Sequence, residues 1–324
     1  MSSGYILGIS RGHNAGVCLL KDGKIVFASE EERFTRHKYD GGPLATMLKV
    51  KEYTNKIDAL VVCHTTTLDD GPKIEYTGDN LYSGLARKLG LIDRRTDIHN
   101  HPQVIDVSSL HHRVHAACAF YRSGFDEAVA VVIDGAGSAT TGQTQDGNVL
   151  LWEVESIFDC SYPDNIKTLY KHFGCRDPIV TGITTADSSQ IGEEGSFSAV
   201  VSGHAGIVKV YEAVTQYCGF QAIEAGKTMG LFPYGKENSN IPKLFLNNTK
   251  VPLADRSLFI PTYPNAAIVN HANYDELSDS PTGDDHSWTE FQNRRDLAYA
   301  CQTQTQEQAL DLILTAVKMS GKKK

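Results

Sequence analysis

HHRVHAACAFYRSGFDEAVAVVIDGAGS, residues 111–138, holds a helix, a turn and an apolar strand in that order. His111 and His115 lie four apart in an Ala-rich segment, which favours helix and puts both imidazoles on one face. A turn follows over Ser123 to Asp126. Ala128 to Ile133 is an unbroken apolar run, the pattern of a buried parallel strand. It ends at Asp134, Gly135, Ala136, Gly137 and Ser138. A carboxylate at the carboxyl end of a strand, opposite two His on a neighbouring helix, makes a facial metal site. Gly135 and Gly137 would let a phosphate or an adenylate approach the backbone. Two His at this spacing are by themselves ordinary surface or core residues. Their coupling to a strand ending in Asp-Gly-x-Gly favours the metal reading. His112 shares neither face nor spacing and reads as a substrate contact or a helix-surface residue.

Outward towards the amino terminus, Tyr5–Ser10 reads as a strand and residues 11–16 (RGHNAG) as a tight glycine-bounded turn. Val17–Leu20 is a second strand, Asp22-Gly23 a hairpin signal, and Ile25–Ala28 a third strand. This order opens many ribonuclease-H-like folds, including the kinase, heat-shock and actin (ASKHA) group, and a bare hairpin pair would share it. In those folds the first turn sits under a phosphate, so Gly12, His13 and Asn14 are candidate ligand contacts. His13 is an ionisable group there; its plainer role is to cap the turn. The run SEEERFTRHK, residues 29–38, alternates in sign as a solvated helix face does. It leaves Arg33, Arg36 and Lys38 close to the mouth of the sheet, where they could meet anionic groups.

Leu44–Tyr53 suggests a helix and Ile57–Cys63 a buried strand. Residues 65–103 are turn-rich, with one helix expected over residues 81–89. Val104–Val107 is a short strand leading into the His-bearing helix. Three antiparallel strands, helix, strand, helix, strand is the ribonuclease-H-like order and implies an α/β class. Past Ser138, Thr140–Gln145 and Val149–Ser156 flank Asp146-Gly147 as a second meander, the opening of a second lobe. Residues 159–197 read as irregular and polar, and His204–Cys218 as a periodic helix. EAGKTMGLFPYG, residues 224–235, carries Gly-Lys-Thr around Lys227 without the spacing or preceding strand of a phosphate loop. It reads as a glycine-rich turn near an active site. Residues 236–290 look like an insert, and Glu290–Met319 is one long helical pattern. The expected organisation is a lobe with the start of a second lobe over 1–235, the insert over 236–290, and a helix over 291–324 feeding second-lobe strands.

The net charge of −8 argues against a broad nucleic-acid surface, though a local basic groove would not show in the total. Seven Cys are scattered, odd in number and without a CxxC pair, which predicts reduced thiols in a cytoplasmic setting. The first residues, MSSGYILGIS, lack a basic n-region and a long apolar core, so no signal peptide is expected. No apolar run reaches membrane-spanning length.

ILGISRGHNAGVCLLKDGKIVFASEEERFTRHK (residues 6–38), the 111–138 stretch and GKTMGLFPYG (residues 226–235) together resemble the O-carbamoyltransferase family that modifies antibiotics and nodulation factors. That family's amino-terminal domain is similar to the tRNA threonylcarbamoyl-transferase and to the hydrogenase-maturation carbamoyltransferase. The resemblance implies the ASKHA fold and carbamoyl transfer, from carbamoyl-adenylate made from carbamoyl phosphate and ATP, to an acceptor hydroxyl. It implies a metal, often iron, on His111, His115 and Asp134, with zinc or manganese equally suited to those donors. His13 matches the family's active-site His, a general base on the acceptor. Lys38 matches its active-site Lys, which would stabilise negative charge. Arg36, His112, Gly12, Asn14, Gly135, Gly137 and Lys227 are candidate nucleotide or substrate contacts.

Family members continue into a GG-x-x-x-N segment, a late Asp at the metal and a carbamoyl-adenylate-forming domain. None of these is in this sequence, so the second half of the fold is expected to be incomplete and transfer to need a missing or separate second polypeptide. A non-catalytic metal- or nucleotide-binding remnant that serves as a partner-binding module is the alternative from another class. A metal-dependent hydrolase built on the same three ligands is a third, which the turn around His13 speaks against.

Overall fold

The computed structural model describes residues 4–10, 14–63, 82–93, 101–144, 147–175, 185–186, 197–202, 206–241, 244–245 and 292–322. The chain divides into two compact units, Met1–Val114 and His115–Lys324. Both are mixed α/β. The division falls in the first turn of a helix, α4 (His111–Ser123), most of which belongs to the second unit.

The first unit is built on a five-stranded sheet of order β3-β2-β1-β4-β5. Its strands are β1 (Tyr5–Ser10), β2 (Gly16–Lys21), β3 (Lys24–Glu30), β4 (Ala59–Cys63) and β5 (Val104–Asp106). β1, β2 and β3 form an antiparallel meander, with Asp22 and Gly23 both at positive φ, as an Asp-Gly hairpin turn requires. β4 joins β1 in parallel, and β5 joins β4 in parallel. Leu7, Ile9, Val17, Leu19, Leu60 and Val62 alternate inward and meet Met47 and Val50 of helix α2 (Leu44–Val50). The helix expected near residues 81–89 is α3 (Ser83–Lys88). Residues 64–81 and 94–100 lie outside the described residues, as do Arg11, Gly12 and His13.

The charged run after β3 differs from the solvated helix face expected. It makes one short turn, α1 (Glu32–Thr35), and Glu31 is buried. Its carboxylate accepts from the Ala45 N–H at 2.6 Å, the Thr46 N–H at 2.8 Å and the Thr46 hydroxyl at 2.7 Å. A carboxylate that satisfies the orphan amides at the start of a helix is held inside by those bonds.

In the second unit α4 leads into β6 (Glu127–Ile133). β7 (Ala139–Thr144), β8 (Gly147–Ser161), β9 (Asn165–Cys175), β10 (Thr185–Ala186) and β11 (Ser198–Ser202) follow. The sheet runs β10-β7-β8-β9-β11, with β6 pairing antiparallel to β8. Among the described residues the Ala128–Ile133 run is paired antiparallel, with β8, where its composition suggests parallel pairing. The irregular polar segment expected from residue 159 is also corrected: β8 extends to Ser161, and β9 pairs with it antiparallel. The polar residues that obscure β9 in the sequence are satisfied inside the sheet. Lys171 pairs with Glu153 and His172 with Glu155, all four buried.

Residues 224–235 are helical rather than a loose glycine turn. Helix α6 (Ala225–Leu231) runs into a 3₁₀ turn, Phe232–Tyr234, and Gly226 and Gly230 have open space where a Cβ would stand. A capping box between Gln221 and Glu224 opens the preceding turn. Helices α5 (Gly206–Tyr217) and α7 (Gln292–Ser320) pack through Val210, Val214, Leu297 and Cys301. Further along α7, Leu312 and Ala316 pack with Ile157 and Tyr170 of the sheet. No helix among the described residues is long and apolar enough to cross a membrane.

Candidate metal centre

The α4–β6 pair delivers the three expected ligands to one place. His111 and His115 are one turn apart on α4, and Asp134 follows the last residue of β6. One donor atom from each lies within 4.8 Å of the others. Donors about 2.1 Å from one ion stand at most about 4.2 Å apart, so small side-chain rotations bring this set onto a shared cation. His115 is exposed and the other two are half-buried, so the cluster is reached from solvent. The donors, two imidazoles and one carboxylate, suit ferrous iron, zinc or manganese.

Asp134 is fixed through its backbone. Its N–H donates to the Val154 carbonyl at 2.9 Å, and its Oδ1 accepts from the Gly135 N–H at 2.7 Å. The turn beyond it is latched to β8. Gly137 N–H donates to the Glu153 carbonyl at 2.8 Å, and Ser138 N–H donates to Glu153 Oε2 at 3.0 Å. The other Glu153 oxygen meets the Lys171 ammonium, which lies 5.3 Å from the Phe158 ring centroid. A buried ion pair thus anchors the turn that presents the Asp134 carboxylate. Sequence reasoning misses Glu153 and Lys171. The available signal is two Glu in an otherwise apolar strand, LWEVESIF (residues 151–158), which demand buried partners.

Gly135 lies against the flexible ends of two side chains of α5. A Cβ there would stand 2.9 Å from Glu212 Oε1 and 3.4 Å from Lys209 Nζ. These side chains of α5 pair at 2.6 Å and pack over the Asp134–Gly135 turn. Neither stands out in the sequence. An apolar groove of about 450 Å³ between α4 and β6 ends at His115 and Asp134.

The remaining candidates fall elsewhere. His112 is fully buried, so it is not a helix-surface residue; its ring centroid is 6.1 Å from that of His111. Lys227 is on α6, paired with Glu224 at 2.6 Å and 5.5 Å from the Phe220 centroid. In the first unit Asn14, Arg36 and Lys38 are exposed. Arg36 has φ 59° at the end of α1, and the Lys38 ammonium lies 4.7 Å from the Tyr39 centroid. Arg33 pairs with Glu30 and Glu32. Next to this segment, the Gly42 N–H and then the Thr35 hydroxyl hold the Asp40 carboxyl below its ordinary pKa.

The family described as carbamoyltransferase N-terminus matches residues 44–277, a span containing all three ligands but not His13, Arg36 or Lys38. The uncharacterized protein sll1178 of Synechocystis sp. is 30% identical over 202 residues, 52% of this chain and 31% of that protein. The nodulation protein NolNO of Sinorhizobium fredii is 27% identical over 168 residues, 49% of this chain and 24% of that protein. The chain thus corresponds to a minor part of each relative. A PPX-GPPA enzyme structure from Aquifex aeolicus aligns over 98% of this chain and 93% of its own, at 11% identity and a TM-score of 0.25. With the family match spanning most of the sequence and enclosing the ligand cluster, this chain belongs to the carbamoyltransferase amino-terminal family.

Proposed function

We propose that the chain is the acceptor-side part of an O-carbamoyltransferase, with its metal on His111, His115 and Asp134. The observation that carries this reading is the three-ligand cluster lying inside the family match. The order β3-β2-β1-β4-β5, with β4 parallel to β1, supports the ribonuclease-H-like, ASKHA kind of α/β fold for the first unit. The metal is a divalent cation, iron by preference, with zinc or manganese as competent substitutes. When bound, it supplies Lewis acidity towards an oxygen of the carbamoyl or phosphate group.

This chain's own residues have distinct tasks. Asp134 is presented by a turn held to β8, so the carboxylate is preorganised. Gly135 and Gly137 are buried, with Glu212 and Lys209 of α5 beside Gly135, so an adenylate would reach that backbone only once those side chains move aside. In the transfer step the acceptor hydroxyl oxygen bonds to the carbamoyl carbon. The bond from that carbon to the adenylate phosphate oxygen breaks, and AMP leaves. The hydroxyl proton goes to His13 as general base. Lys38, with Arg36, offsets negative charge on the phosphate. Carbamoyl-adenylate itself comes from carbamoyl phosphate and ATP on a second polypeptide or segment, consistent with how small a part of each relative this chain matches. The setting is cytoplasmic, where scattered thiols stay reduced.

The test is calorimetric binding of a non-hydrolysable sulfamoyl analogue of carbamoyl-adenylate to the full chain, with and without Fe(II). The reading expects metal-dependent binding, weakened at least about ten-fold by His115→Ala and by Asp134→Asn. Binding of equal strength in the metal-free protein and in both variants would contradict it.

A further inference from the structure

The turn that follows β6 is roofed by the first half of α5. A Cβ at Gly135 would lie 2.9 Å from Glu212 Oε1, 3.3 Å from Val208 Cγ1 and 3.4 Å from Lys209 Nζ, so all three side chains rest on the residue next to Asp134. The Lys209 ammonium and the Glu212 carboxylate pair at 2.6 Å. The two ends of this clasp differ in exposure: the Lys209 side chain is 10% exposed and that of Glu212 is 22% exposed. An ammonium so far out of water keeps an anionic partner, because an unpaired charge there is costly. Which anion fills that place is the open question.

The helix that carries the clasp is fixed. A Cβ at Gly206 would meet Val154 of β8, and the Ile207 N–H donates to the buried Glu155 at 2.9 Å. Glu155 in turn pairs with the buried His172 of β9. Val210 and Val214 are buried against α7. What can move is therefore a side chain and not the helix. Glu212 has the route to solvent, and Lys209 stays. A pair three residues apart on one helix face is a modest interaction, open to replacement by a stronger anion.

The turn's own amides do not supply donors for such an anion. Asp134 N–H donates to the Val154 carbonyl, Gly135 N–H to Asp134 Oδ1, Gly137 N–H to the Glu153 carbonyl and Ser138 N–H to Glu153 Oε2. An anion drawn to this turn must find a side-chain cation, and the Lys209 ammonium is seated on it. A second carboxylate beside Asp134 repels the same anion. Glu212 thus occupies both the volume and the cation that an incoming anion needs.

From this arrangement we infer that Lys209 is a phosphate-binding residue and that Glu212 is the internal anion that competes for it. A terminal phosphate carries a charge of about −1.5 to −2 at pH 7 and three acceptor oxygens, against one charge and two oxygens for the carboxylate. It displaces Glu212, which swings towards solvent, and takes over the ammonium; ion pairs exchange and no covalent bond changes. The closed clasp carries no net charge, and the open one presents a positive charge at the turn. The clasp therefore selects for ligands that bring a phosphate and against neutral ones. The phosphate belongs to a nucleotide or is free in solution, and both present the same chemistry to Lys209. The inference rests on the reading that a phosphate-bearing ligand comes to Asp134, and adds the residue that grips the phosphate and the residue that opposes it.

The test is a phosphorus NMR titration of the full chain with inorganic phosphate and with AMP, in EDTA so that metal loading plays no part, with adenosine as the uncharged control. Glu212→Gln is expected to tighten phosphate binding at least about three-fold, and Lys209→Met to weaken it at least about ten-fold. The double variant should bind as weakly as Lys209→Met, because the gain acts through the lysine. A gain in affinity cannot come from a damaged fold, so Glu212→Gln decides the matter even where Lys209→Met is unstable. AMP bound more tightly than phosphate assigns the ligand to a nucleotide, and equal affinities assign it to free phosphate. Phosphate bound no better by Glu212→Gln than by the wild type would overturn the inference, as would undiminished binding by a folded Lys209→Met or adenosine bound as tightly as AMP. Carbamoyl transfer can fail in the metal-dependent titration above while these affinities hold, and these can fail while it holds, so the two are told apart.

Discussion

Lys171 and Glu153 are each 1% exposed and depend on one another. Removing one leaves an uncompensated buried charge, so Lys171→Met is expected to cost about 3–5 kcal/mol in urea unfolding. Pairing it with Glu153→Gln should recover a large part, and a double variant as unstable as the single one would refute the coupling. Glu31→Ala removes a buried acceptor from three donors and should cost about 2–4 kcal/mol. The cysteines separate by burial. Desolvation raises the Cys63 thiol to about 11 and the Cys218 thiol to about 12. A pKa raised on folding means that the folded state holds the proton more tightly than the unfolded state. Stability is therefore complete below the ordinary thiol value of 9.0 and falls as pH climbs from there towards 11–12. Cys218→Ala should flatten that decline in urea midpoints. Iodoacetamide at pH 8 should reach exposed Cys118 first and leave Cys218 and Cys301 until the chain unfolds. The candidate cluster of His111, His115 and Asp134 is legible in the sequence because a four-residue spacing and a strand end are local signals. Glu31, Glu153 and Lys171 are not, because a charge's burial is decided by a distant partner.

At the scale of elements, the strands whose side chains alternate or whose turns carry Asp-Gly are found where the sequence places them. β9 is the exception: Lys171 and His172 break the apolar pattern while being buried by their partners on β8. α6 reads as a turn because two glycines argue against helix, yet both stand on its open side, where they cost helix propensity and no packing. Elsewhere glycine is obligatory. Gly206 has φ 74°, and a Cβ there would fall 2.1 Å from Val154 Cγ1, just before Ile207 N–H donates to Glu155 at 2.9 Å. Gly206→Ala is expected to cost about 3 kcal/mol or more in thermal or urea unfolding, with a wild-type-like midpoint as the contrary result. The run Ala128–Ile133 announces a strand but not its neighbours, because pairing partners are a property of the sheet.

For the whole molecule, the two units each carry their own sheet and core, and the candidate metal cluster is formed by α4 and the residue that follows β6. The amino-terminal meander and the order of elements along the first unit are legible from turn chemistry and strand spacing. The described part of the second sheet is less so, since its long β8–β9 ladder hides charged pairs. An ion held by α4 and β6 stabilises the fold by mass action, so saturating metal at about 100 times its dissociation constant should add about 2.7 kcal/mol, lost on chelation. The most direct measurement is metal content of the full chain by mass spectrometry after Fe(II) reconstitution and desalting, beside His111→Ala, His115→Ala and Asp134→Asn. The account predicts about one ion per chain in the wild type and loss of that ion in all three variants, with folding retained. An ion-free wild type that is folded, or one ion retained through all three substitutions, would contradict it.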